Sequence, residues 1–247
     1  QNSAQTSLFG ETADQVYQEL IIPPAEPWDN LSQLKKERAV VGIYISGHPL
    51  DDFKKEMEWF TNAQMMQLKD LKPWVNKNLA VAGIVNDIQH LESRNGKGWA
   101  RFSVEDFTDQ FEFRIFGEEY LKFRHFITIN QFIRIKISVK EGWRNQETGR
   151  VGEPRIQFVA FEMLHDTLSK NSKKLTLQLD IRQLELDRIK HLKNELKSFR
   201  GDKPLYFDVI DPKKPVKLTV PSKKQKVAIS QKLLTVLDQN QWHYKLN

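Results

Sequence analysis

Between Asn78 and Leu164 apolar residues recur at every second position, with Val, Ile and Phe alternating against polar side chains, the spacing of half-buried β-strands. The alternation predicts strands over about 78–91, 98–105, 110–116, 131–139 and 155–163, with GEEYLKFRHF a helix between the third and fourth. Upstream the period lengthens to about 3.6. In DNLSQLKKERAVVGIYISG, Ser32 is placed to cap a helix carrying Leu34, Val41 and Ile45 on one side, and Gly47 to close it. Pro49 then opens a second helix with Leu50, Phe53, Met57 and Phe60 along one face, so the two form a helical hairpin. After the polar stretch HDTLSKNSKK, KLTLQLD reads as a strand, IRQLELDRIKHLKNELKSF as a helix, PLYFDVI and PVKLTV as strands, AISQKLLTVLDQ as a helix and WHYKLN as a last strand. This β-α-β-β-α-β order permits a ferredoxin-like split βαβ unit.

Together these elements predict an α+β multidomain chain. Residues 28–76 form the helical hairpin, 77–165 an OB-fold five-stranded β-barrel, and 166–247 a small C-terminal α+β domain; the helix between the third and fourth strands is what marks the OB order. Residues 1–27 mix small polar residues with three prolines and read as an extended tether. Within it, QTSLFG carries an apolar pair, Leu8 and Phe9, that so polar a segment cannot bury. The pair either folds back on a neighbouring domain or is held out for a partner's pocket.

With 247 residues, 39% of them hydrophobic and including 15 Phe and 6 Trp, the chain can fill more than one core. A net charge of +6 favours polyanionic partners without requiring them. The absence of cysteine excludes disulfides and thiolate metal sites and fits a reducing cytoplasm. No apolar run approaches the length of a membrane span, and a first residue of Gln rather than Met leads us to expect a piece of a longer protein.

The residues offer little to catalysis. The six histidines are scattered without ligand spacing, so no metal site is expected. Asn95-Gly96 reads as a hairpin turn rather than a phosphate loop, and the acidic pairs Asp51-Asp52, Glu105-Asp106 and Glu118-Glu119 read as helix starts and turns. No D-x-D pattern is present to hold two metal ions. Two loops look better suited to nucleic acid. One carries Arg94, Lys97 and Arg101 around Trp99; the other carries Lys140, Arg144, Arg150 and Arg155 around Trp143. Cations that neutralise phosphates beside rings that stack bases are what single-strand binding uses; the alternative is that Trp99 plugs the barrel end and the charges are solvated turns. Phe113, with Phe111 and Ile115, reads as core. The C-terminal lysines of KNSKK, DPKK and PSKKQK read as solvated loops.

The string VVGIYISGHPLDDF resembles a segment of the catalytic α subunit of bacterial DNA polymerase III, the L-G-x-Y-x-[ST]-G-H-P-[IL] motif. AGIVNDIQHL and GWARFSVEDFTDQFEFRIFGEEYLKF are similar to that family's OB strands and connecting helix, and the last stretch to its small C-terminal domain. The resemblance implies a sliding-clamp docking peptide of the form Q-x-x-[LM]-F on Gln5, Thr6, Ser7, Leu8 and Phe9, an OB domain near the single-stranded DNA template, and a C-terminal domain that binds the clamp-loader tau subunit. It implies no cofactor for this segment and Mg2+ for the whole polymerase, whose P-D-x-D-x-D motif occurs nowhere here, so the segment is expected to be inactive alone. The long stretch 140–154 and the lysine-rich turns depart from better-known members. The rival expectation is a stand-alone OB-fold single-stranded nucleic-acid-binding protein; a hydrolase is disfavoured by the missing ligand cluster.

Overall fold

The computed structural model describes residues 26–144, 149–211, 213 and 216–246. The docking-peptide residues Gln5, Thr6, Ser7, Leu8 and Phe9 lie outside them. The chain divides into two units, Gln1–Ser46 and Gly47–Asn247.

In the first unit, helix α1 (Asn30–Val41) is capped by Asp29, whose carboxylate accepts the Ser32 N–H at 3.3 Å. The cap therefore lies three residues before the expected Ser32. Gly42, at φ 87°, ends the helix ahead of Gly47, as a left-handed C-terminal residue does at little cost only when it is glycine. With the helix ended there, Val41 and Ile45 do not share a buried face; they are 55% and 63% exposed. Glu37 folds the following segment back along the helix. Its carboxylate accepts the Ser46 hydroxyl and the Ser46 and Ile45 N–H groups, and these hold its pKa down at about 2.

The second unit opens on the GHP segment, which folds into a turn held by its own side chains. The Asp51 carboxylate accepts the His48 N–H at 2.6 Å, and the Leu50 N–H donates to His48 Nδ1 at 3.1 Å. A 3-10 turn (Asp51–Phe53) then leads into α2 (Lys54–Phe60), so the α-helix begins five residues after Pro49.

The first sheet contains β1 (Asn78–Glu92), β2 (Gly98–Glu105), β3 (Gln110–Phe116), β4 (Phe132–Lys140) and β5 (Arg155–Met163), with α3 (Gly117–Phe123) between β3 and β4. Each strand falls within one residue of its expected bounds. All pairings are antiparallel, in the order β3-β2-β1-β4-β5. β1 is long because it serves two neighbours, pairing with β4 up to Ile84 and with β2 from Ile84 onward. Gly83 permits the hand-over: a Cβ there would lie 2.2 Å from the Glu105 carbonyl oxygen. The core beneath is aliphatic and aromatic, with Phe102 stacked on Phe113 at 5.3 Å among Val81, Ile115, Ile133, Ile135 and Ile137.

The expected closed barrel is not formed. Among the described residues β3 and β5 are both sheet edges with no strand joining them. The outward Phe158 N–H of β5 donates instead to the Glu119 carboxylate of α3 at 3.2 Å, so a side chain occupies a donor that closure would have offered to β3.

The second sheet holds β6 (Leu175–Asp180), β7 (Arg200–Asp211), β8 (Val216–Val227) and β9 (His243–Leu246), with α5 (Leu186–Ser198) after β6 and α6 (Gln231–Gln239) after β8. The β-α-β-β-α-β succession is as expected, but the βαβ unit is not split. β6 and β7 pair directly and in parallel, and β8 lies outside β7 in the order β8-β7-β6-β9. PSKKQK, expected as a turn, lies inside β8. Pro221 is tolerated there because β8 is an edge strand. The polar stretch before β6 also holds a short helix, α4 (Thr167–Asn171).

Helix α2 joins the two sheets. Met57 and, from the turn before the helix, Phe53 pack on Leu50, Ala82 and Leu164, while Trp59 and Phe60 pack against the core of the second sheet, and Lys55 pairs with Asp238 of α6. At its end the Phe60 carbonyl accepts from Arg134 Nε at 2.6 Å. Arg134 also meets the Glu162 carboxylate at 2.8 Å, which Lys136 at 2.9 Å and Asn171 at 2.8 Å complete. Burial pushes the Glu162 pKa up, but the three donors outweigh it and hold the carboxyl below its ordinary value. The stabilisation is therefore present above the unfolded-state pKa and is lost as pH falls through the folded one. We predict that Glu162→Gln, which leaves Arg134 buried without a counter-charge, lowers stability by about 3 kcal/mol at neutral pH. Urea unfolding of both proteins at neutral and acid pH checks this, the difference shrinking on acidification.

Candidate nucleic-acid interface

The β1–β2 hairpin turns at Gly96, which adopts φ 70°, and the Ser93 N–H donates to the Lys97 carbonyl at 2.9 Å. This exposes Arg94 and Lys97 at the hairpin tip. On the strand that follows, Trp99 neither plugs a barrel end nor stands free. It lies half-buried and stacked on Phe116 of β3, with centroids 5.2 Å apart and planes at 19°. The pairing of Trp99 opposite Phe116 places both rings on one face of the sheet.

Two residues along the same face sits Arg101, opposite Arg114. Both cations are engaged within the sheet. Arg101 donates to Gln89 at 3.0 Å and lies 3.5 Å from Glu112, and Arg114 donates to Glu112 at 3.0 and 3.1 Å.

The unjoined edges of β3 and β5 bound a cavity of about 790 Å³. β3 contributes Glu112, Arg114 and Phe116; Lys140, Trp143 and Arg155 come from the β5 side, with Glu119 reaching in from α3. Trp143 is 76% exposed, and the Arg155 guanidinium lies over its ring at 4.3 Å. Burial pushes the Glu119 carboxyl above its ordinary pKa, against the Phe158 N–H and the charges of Arg155 and Lys122. The arrangement pairs planar rings with cations around a space of ligand size, and Phe116 links it to Trp99.

Of the residues marked from the sequence, Lys140, Trp143 and Arg155 meet at this cavity, and Trp99 is joined to it through Phe116. Arg94 and Lys97 stand apart at the hairpin tip, Arg101 is held by its sheet partners, and Arg144 forms a bridge with Val151 in the loop that also carries Arg150. Phe113 is core, as expected. Phe116, Arg114 and Glu119 were missed. The alternation of β3 contained a signal for the first two: they fall in phase with outward Glu112 and out of phase with buried Phe113 and Ile115. The acidic pairs have structural work instead. Asp51 accepts the His48 N–H, and Asp106 accepts the N–H groups of Met65, Thr108 and Asp109. Among the described residues no three His, Asp or Glu side chains are grouped to hold a metal ion, and no helix is long and apolar enough to cross a membrane.

Residues 175–247 match the family described as DNA polymerase III alpha subunit, C-terminal domain. Over these residues the chain is similar to that family. The similarity extends upstream as well. The DNA polymerase III subunit alpha of Mycobacterium tuberculosis is 24% identical over 214 residues, 83% of this chain and 17% of that protein. That of Treponema pallidum is 33% identical over 105 residues, 42% of this chain and 9% of that protein. The chain thus spans only a small fraction of the length of these relatives. A small single-stranded DNA-binding protein from Streptomyces coelicolor aligns over 36% of this chain and 94% of its own, at 12% identity and a TM-score of 0.20. A likeness that low carries no weight for fold or ligand.

The two neighbouring phenylalanines of β3 separate core from surface. We predict that Phe113→Ala costs about 3–5 kcal/mol, as burial among aromatic rings implies. Phe116→Ala, at a position 55% exposed, should cost under about 1 kcal/mol. Thermal unfolding of the two variants checks the contrast; equal losses would place Phe116 in the core.

Proposed function

We propose that this chain is a non-catalytic C-terminal region of a replicative DNA polymerase III alpha subunit and that its first sheet, an open variant of the OB-fold, holds single-stranded DNA template. The observation that carries the DNA reading is the continuous surface formed by Trp99, Phe116, Trp143 and Arg155 on a sheet of OB strand order. The family match over 175–247 supports placing that surface in a replication protein rather than in a stand-alone single-strand binder. Nucleotidyl transfer and its Mg2+ belong, in this reading, to the remainder of the polymerase.

The reading assigns two protein partners. The sliding clamp takes Gln5–Phe9, with Leu8 and Phe9 entering an apolar pocket and Gln5 hydrogen-bonding at its rim. The clamp-loader tau subunit binds the C-terminal domain, proposed as residues 166–247. Supporting this, an apolar cavity of about 380 Å³ opens between α5 and the second sheet, lined by Leu179, Ile189, Leu192, Phe207 and Trp242. The Trp242 indole N–H, buried beside it, has no hydrogen-bond partner among the described residues.

For the DNA surface, we predict that Trp99→Ala combined with Trp143→Ala weakens oligonucleotide binding by about 1–3 kcal/mol per stacked base while the protein stays folded. Fluorescence anisotropy over a salt series checks it, and unchanged affinity would remove both rings from the site. For the clamp, titration calorimetry with the sliding clamp of the same organism should show binding that Leu8→Ala/Phe9→Ala abolishes. A native chain that gives no heat would refute the docking peptide.

A further inference from the structure

The cavity between β3 and β5 is more specific than a stacking surface requires. Single-strand binding without sequence preference needs rings and cations; this space also contains a partly buried carboxylate. Glu119 faces the cavity with one oxygen on the Phe158 N–H, and a carboxylate offers further acceptor sites on both oxygens. The other carboxylate at the cavity, Glu112, is already taken by Arg114 and Arg101. Phe116, stacked on Trp99, borders the space from the β3 side, and Trp143 from the β5 side with Arg155 over it. Lys140 and Arg155 supply positive charge at the same rim.

Resting on the single-strand reading above, we propose that the β3–β5 seam is a single-nucleotide pocket that selects bases bearing an exocyclic amino group. The base stacks against Phe116 and Trp143, Lys140 and Arg155 take the phosphate, and Glu119 accepts a hydrogen bond from the amino group. A carboxylate discriminates here because cytosine presents an N–H2 donor where thymine presents a carbonyl oxygen. Two acceptors facing each other repel, so thymine loses the contact and leaves Glu119 unsatisfied.

The test is fluorescence anisotropy of the full chain with labelled oligo(dC) and oligo(dT) of equal length at fixed salt. The native chain should bind oligo(dC) roughly tenfold more tightly, the low end of what one good base contact discriminates. Glu119→Gln keeps an acceptor for the Phe158 N–H and adds a donor for thymine, so it should bring the two affinities together with thermal stability unchanged. Phe116→Ala should weaken both, and Lys140→Ala should lower the salt dependence of both. Equal native affinity for the two oligonucleotides, or a preference that Glu119→Gln leaves intact, overturns the pocket while single-strand binding stands. A native chain that binds neither oligonucleotide overturns the broader reading and the pocket with it.

Discussion

A carboxylate taken out of water must find donors for its lone pairs, and Glu162 finds them on three elements at once. Arg134 and Lys136 reach it from β4 and Asn171 from α4, while Arg134 uses a further N–H to hold the last carbonyl of α2. The consequences spread from there. α2 is fixed with Trp59 and Phe60 in the second core and Phe53 against Phe132 at 4.7 Å, so the second sheet is set against the first. β5 is pinned to β4 at its last residues by the same node, which leaves its other edge facing β3. Geometry at the candidate interface therefore depends on a polar contact outside it.

That facing edge is where local pattern stops being informative. Alternation reports which residues of a strand are buried, and it located all five strands of the first sheet because each has one face on the core. Whether the first and last edges of such a sheet meet depends on twist, on the hand-over at Gly83 and on a long-range contact from Glu119 to Phe158. None of these leaves a trace in the spacing of apolar residues. β8 shows a related blindness. PSKKQK is a strand by its pairing with β7, but an edge strand with lysines and a proline has the composition that discourages further pairing, and composition of that kind reads as a turn.

Charge was legible in number and misleading in use. The sequence marks Arg101 as one cation among several near Trp99, and the structure spends it on Gln89 and Glu112. Arg114 is spent the same way. Such exposed pairs contribute little to stability, but they set which positive charges remain open to a phosphate, and those of Arg101 form between residues distant in sequence. The rings followed a similar rule. Trp99 and Trp143 were visible because cations flank them in sequence, whereas Phe116 was hidden among the phenylalanines of β3 and is distinguished only by its register.

A phenylalanine more than half exposed at the end of a short edge strand offers an intramolecular fold little, and rings scattered singly over a surface would need no explanation. Phe116 is not single: it continues the stack begun by Trp99 toward a cavity that Trp143 borders. Apolar surface gathered around a concavity and rimmed by charge is uncommon on a chain with nothing to bind. In an open sheet the unjoined edges would otherwise invite another strand, and here charged side chains on β3 and the Glu119 carboxylate of α3, bound to the Phe158 N–H of β5, stand across that route. The seam is thus guarded against strand addition and furnished for a planar, charged ligand, and both properties come from the same few side chains.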